Sequence, residues 1–117
     1  MQKERKVSDL TKFEEQILLS VWKLQDKAYG ITIYNHIRDI TKKELAIGGI
    51  YFPLERLVKK GFLETQKGEP MPVRGGQSKR YYRLTQLGFE ELHKSKKTQE
   101  AFWKGLPSPK YLTGEEK

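Results

Sequence analysis

Three stretches of the chain repeat apolar residues at helical spacing. Phe13, Ile17, Val21 and Leu24 recur every three or four positions, with Leu18 widening the stripe, and predict a helix over 12–25. Thr11 stands where an N-cap belongs, and Glu14, three residues on, completes a capping-box pattern. Ile33, Ile37 and Ile40, with Tyr34 beside them, predict a second helix over 31–42, and Gly30 reads as the turn residue before it. Ile50, Leu54, Leu57 and Val58 mark a third over 48–60. Gly61 follows as its C′ residue, with Lys59 and Lys60 at its negative end.

After Gly61 the period changes. Residues 62–66 and 79–84 are short, alternating and rich in β-formers, which reads as two strands. Between them residues 67–78, KGEPMPVRGGQS, hold two Pro, three Gly and three charges, the composition of a long irregular hairpin loop. Thr85 caps a fourth helix over 85–103, and PSPK breaks it. The fold class expected is mainly α with a small β-hairpin: a winged helix-turn-helix with a C-terminal dimerisation helix. The chain divides into a basic N-terminal arm (1–10), the winged helix-turn-helix (11–84), the C-terminal helix (85–105) and a loose tail (106–117).

Composition narrows the chemistry. Leu, Ile, Val and Phe supply 29 of 117 residues, enough for a small core despite a mean hydropathy of −0.77. The absence of Cys excludes disulfides, thiolate metal sites and Cys nucleophiles, and two distant His, His36 and His93, make no metal cluster. No apolar run has membrane-spanning length, and MQKERKVSDL lacks the apolar region of a signal peptide, so a cytoplasmic protein is expected. Glu14 and Glu15, like Glu90 and Glu91, are adjacent on helices and point apart, so no paired-carboxylate catalytic site, metal or cofactor is expected.

The net charge of +8 is unevenly spread. Residues 31–60 carry six basic and three acidic groups and residues 61–83 five and two, whereas residues 13–30 sum to −1. The excess lies on the expected recognition helix and wing, the elements that approach DNA in this motif. Arg74, Lys79 and Arg80 bracket a Gly-Gly turn that admits a phosphate backbone closely. In the second strand Tyr82 and Leu84 are expected to pack on the helices, and Arg80, near the loop, can still swing outward. A nucleotide loop is disfavoured, because the segment lacks GxxxxGK[ST] and opens no helix.

LAIGGIYFPLERLVKKGFLE resembles the helix-turn-strand of PadR-type transcriptional regulators, GGQSKRYYRLTQLG is similar to that family's wing return strand, and YGITIYNHI to its Tyr-Gly-Tyr-x-Ile segment. The resemblance spans about residues 10–95. It implies a sequence-specific DNA-binding regulator, a repressor, dimeric through its C-terminal helix and released by a small effector. By position Tyr51 matches the tyrosine that meets the DNA backbone, and Gly48 and Gly49 fall where close approach is needed. Ala46, Gly49 and Pro53 depart from the family pattern. Proline inside a helix costs about 3 kcal/mol, so a late or irregular start of the third helix is expected.

The candidate DNA-contacting residues are therefore Lys42, Lys43, Gly48, Gly49, Tyr51, Arg74, Lys79 and Arg80, acting on an inverted-repeat operator in double-stranded DNA. Phe89, Leu92, Gln99 and Trp103, in a seam with a polar middle at Lys96, are the candidate dimer contacts. Trp103 is also the candidate platform for a small planar effector. Trp22 is expected in the core, and His36 at a surface or boundary without an identifiable switching partner. A winged helix serving as a protein-interaction module without DNA binding is the alternative.

Overall fold

The structure, a computed structural model, describes residues 10–70 and 78–114. Helix α1, Lys12–Leu24, begins with the expected capping box: the Glu14 N–H donates to Thr11 Oγ1 at 3.1 Å, and the Thr11 N–H donates to Glu14 Oε1 at 3.0 Å. Its buried stripe is Ile17, Leu18 and Val21. After a 3₁₀ turn, Gln25–Lys27, helix α2 runs Gly30–Thr41 and buries Ile33 and Ile37. Ile40, expected in the same stripe, is 67% exposed, because the last turn of α2 extends past the core. Gly30 is the first residue of α2 rather than a turn residue, and its lack of a Cβ lets the Tyr51 ring lie against the backbone there.

The third helix starts late. Residues Ile47–Ile50 form a 3₁₀ turn and the α-helix α3 is Tyr51–Lys59, which puts Pro53 in the first turn, where its missing N–H has no intrahelical partner to lose. Gly61 ends it at φ +84°: the Gly61 N–H reaches the Val58 carbonyl at 2.9 Å and the Phe62 N–H the Leu57 carbonyl at 3.0 Å, a Schellman closure.

Strands β1, Leu63–Pro70, and β2, Ser78–Leu84, pair antiparallel from Leu63 opposite Leu84 to Pro70 opposite Ser78, with an irregularity between Lys67 and Pro70. Both are longer than the sequence pattern suggests. Residues 67–70 and 78, expected in an irregular loop, belong to the strands, with Lys67, Pro70 and Ser78 in the ladder. Gly68 makes room for the Tyr81 ring, and Pro70 is tolerated on an edge strand beside the irregularity. The segment before α2 adds to the other side of β2, with the Tyr82 N–H donating to the Ala28 carbonyl at 2.9 Å and Tyr29 bridged to Tyr81.

Helix α4, Gln86–Trp103, is capped by Thr85, whose hydroxyl accepts from the Gly88 N–H at 3.0 Å and donates to the Gly61 carbonyl at 2.6 Å. One residue thus ties wing, recognition helix and α4 together. Leu92 joins the core, whereas residues 99–114 are all exposed. The expected tail contains a short helix, α5, Lys110–Thr113, with no buried residue. No helix among the described residues is long and apolar enough to cross a membrane.

Candidate nucleic-acid interface

The orientation of α3 is set from below by a carboxylate. Glu14 is 2% exposed, and its Oε2 accepts from Arg56 Nε at 3.0 Å with Lys60 Nζ at 3.8 Å. Burial pushes the Glu14 carboxyl up, but the Thr11 N–H, the Arg56 hydrogen bond and the charges of Lys60 and Arg56 outweigh it and hold the group below its ordinary value. The capping residue of α1 is therefore also an anchor for the recognition helix. Sequence alone assigns Glu14 only the capping role, since its partners lie 42 and 46 positions away.

The turn between α2 and α3 is pinned by the Tyr34 hydroxyl, which donates to the Leu45 carbonyl at 2.8 Å. Lys42, in the left-handed conformation that ends α2, and Lys43 stand exposed on this turn. Gly48 and Gly49 sit on the 3₁₀ turn with open space where a Cβ would point, so the backbone there is approachable. Tyr51 opens α3 at 45% exposure.

Tyr51, Lys79 and Arg80 meet around one cleft of about 470 Å³ between the start of α2, α3 and β2, with Tyr29, Glu55 and Tyr82 completing it. Lys79 Nζ lies 4.2 Å from the centroid of the Tyr29 ring and donates to its hydroxyl at 3.2 Å, which holds the ammonium above the ordinary lysine value. Arg80 stays exposed, and its guanidinium spans the cleft to the equally exposed Glu55 of α3 at 2.8 Å, sharing a strand face with Tyr82. The wing strand and the recognition helix are thus cross-linked by an exposed ion pair. Lys42 and Lys43 stand at the far end of α2, about 18 Å along the helix from Gly30, and form a separate basic point. Arg74 lies outside the described residues.

The candidate dimer residues divide. Leu92 is 5% exposed and packed in the chain's own core, so it has little surface to offer a partner. Phe89 is half-buried and meets the Trp22 ring edge-on at 5.4 Å. Gln99 and Trp103 are exposed, Trp103 at 69%. Trp22 is 44% exposed rather than core, because α1 turns its opposite side to the interior, and it lines an open groove between the end of α1, the hairpin and the start of α4. His36, at the expected boundary, shares a 2.8 Å hydrogen bond with the buried Ser20 hydroxyl.

Two exposed residues of α3 were not singled out by the motif reading, Glu55 and Phe52. The signal for both was helical geometry. They fall off the Ile50–Leu54–Leu57 stripe, so they must face away from the core.

A family model described as the transcriptional regulator PadR-like family matches residues 18–94. Among solved structures, RosR of H. salinarum is 22% identical with a TM-score of 0.62, over 91% of this chain and 88% of that one. A PadR-like transcriptional regulator from Bacillus cereus is 22% identical with a TM-score of 0.61, over 77% and 82%. A Streptococcus mutans protein is 28% identical with a TM-score of 0.60, over 89% of both chains. No curated protein matches.

Proposed function

The chain belongs to the PadR-like family of DNA-binding transcriptional regulators, and from that premise we propose that it is a homodimeric repressor of its operator. The observation that carries the reading is the gathering of Tyr51, Lys79 and Arg80 at one cleft between recognition helix and wing. Helix α3 enters the major groove with its first turn toward the bases. Tyr51 and Lys79 meet the flanking phosphates, as do Arg80, once it leaves Glu55, and Arg74 of the wing. Lys42 and Lys43 hold a second stretch of backbone, and Gly48 and Gly49 let it approach.

Residues 11–84 act as the DNA-binding unit, with 1–10 as a basic arm and 106–117 as a tail. Residues 85–105 act as the dimerisation helix. Phe102, Trp103, Leu106, Tyr111 and Leu112, each more than half exposed, support a partner at that end of the chain. Trp103 is the place for a planar effector that releases the operator. The protein is non-enzymatic and works in the cytoplasm.

Footprinting on the DNA flanking its own gene tests this reading. It should protect an inverted repeat with half-sites about one helical turn apart. A single unsymmetrical footprint, or none at low salt, would count against it.

A further inference from the structure

The outward side of α3 carries an unusual set of groups for a helix in a major groove. Pro53, Leu54 and Leu57 are buried, leaving Tyr51, Phe52, Glu55 and Lys59 exposed. Tyr51 leans on Gly30, and Glu55 is engaged by Arg80. Phe52 is 72% exposed and sits in the first turn, the part of a recognition helix that meets base edges. Its ring is held from one side. The Arg56 guanidinium lies 5.2 Å from its centroid, and Arg56 is itself fixed by buried Glu14. The Glu14 anchor therefore presents Phe52 as a positioned apolar tip with its other face free.

The surrounding residues narrow what that face can read. Residues 47–53 are Ile, Gly, Gly, Ile, Tyr, Phe and Pro, without the amides that pair with adenine or the guanidinium that pairs with guanine. Gly48 and Gly49 offer no side chain to compete for the same space. A phenyl ring neither donates nor accepts a conventional hydrogen bond, and the one apolar group a base pair shows in the major groove is the thymine 5-methyl. Building on the DNA-binding reading above, we propose that Phe52 is a specificity-determining residue that reads thymine by packing the free face of its ring on that methyl group.

Exchanging thymine for uracil deletes the methyl and nothing else. The full-length chain is used to select duplexes from a random library, and the best duplex is resynthesised with uracil at single thymine positions. Burying one methyl is worth about a fourfold preference, so uracil at one contacted position should weaken binding by about fourfold, and at the equivalent positions of both half-sites by about fifteenfold. Phe52→Ala, a change at an exposed position that leaves the core intact, should bind thymine and uracil duplexes equally. Phe52→Leu, which keeps a smaller apolar contact, should retain a reduced preference. Wild-type binding indifferent to uracil, or an undiminished thymine preference in Phe52→Ala, would overturn the assignment while leaving DNA binding intact. Failure to enrich any duplex at low salt would overturn the DNA-binding reading and this assignment with it.

Discussion

Glu14→Gln isolates the charge of the anchor beneath the recognition helix. Glutamine keeps an oxygen for the Thr11 N–H, so the capping box survives, while the charge-assisted bond to Arg56 Nε at 3.0 Å and the attraction of Lys60 at 3.8 Å are lost. Hydrogen bonds to charged groups contribute roughly 1.5–3 kcal/mol. Arg56 and Lys60 are 40% and 38% exposed and recover hydration when the partner goes, which brings the expected loss down to about 1–2 kcal/mol. Glu14→Ala also removes the capping bond, for about 2–3 kcal/mol in total. At roughly 2.1 cal/mol/K per residue, a chain of this length loses about 4 °C of Tm per kcal/mol, so the two variants should melt about 4–8 and 8–12 °C below wild type at pH 7. The Glu14 carboxyl sits lower in the folded chain than its ordinary value of 4.5, so its contribution is complete above that value and is lost as pH falls through the lowered one. The difference between wild type and Glu14→Gln, followed by thermal denaturation from pH 7 to pH 3, should therefore close in acid. A variant that melts with wild type at pH 7, or a gap that does not narrow on acidification, would refute the anchoring argument.

Three further changes test other joints. Gly88→Ala places a Cβ 2.3 Å from the Phe62 carbonyl oxygen, a backbone atom that cannot yield cheaply, and should cost about 1–3 kcal/mol in denaturant unfolding; an unchanged midpoint would show that the start of α4 shifts freely. Glu55→Gln removes the acid that occupies Arg80, so it should tighten binding to unspecific duplex DNA by severalfold at low salt. Weakened binding would mean that the ion pair positions the wing instead. A chain ending at Thr98 keeps the described core but lacks the exposed arm beyond it, and should sediment as a monomer; a stable dimer would place the interface on α1 or the first half of α4.

Much of the architecture was legible because it rests on local rules. The capping box at Thr11, the Gly61 closure, the Thr85 cap and the delayed start forced by Pro53 depend on neighbours within a few residues. The candidate site was legible as a set of cations and, through the family resemblance, as Gly48, Gly49 and Tyr51, but not in the contacts that join them. That Arg80 pairs with Glu55, or that Glu14 supports Arg56, depends on contacts 25 and 42 residues apart, which no local pattern encodes. Trp22 and Ile40 were misplaced for a related reason. Helical spacing gives the direction of a stripe but not how far the core extends along or around it. The wing strands run past their expected ends where Gly68, read as a loop residue, makes space for the Tyr81 ring at the irregularity in the strand.

The central claim is that the α3–wing surface holds the DNA backbone through its cations, and the salt dependence of operator binding measures it directly. A dimer applying Arg74, Lys79 and Arg80 from each subunit neutralises on the order of six phosphates, so log affinity should fall against log salt with a slope of about −5. Lys79→Ala, present in both subunits, should weaken all duplexes alike and flatten the slope by about two units, whereas Tyr51→Phe should weaken binding at an unchanged slope. Binding that is indifferent to salt, or a slope untouched by loss of Lys79, would contradict the account.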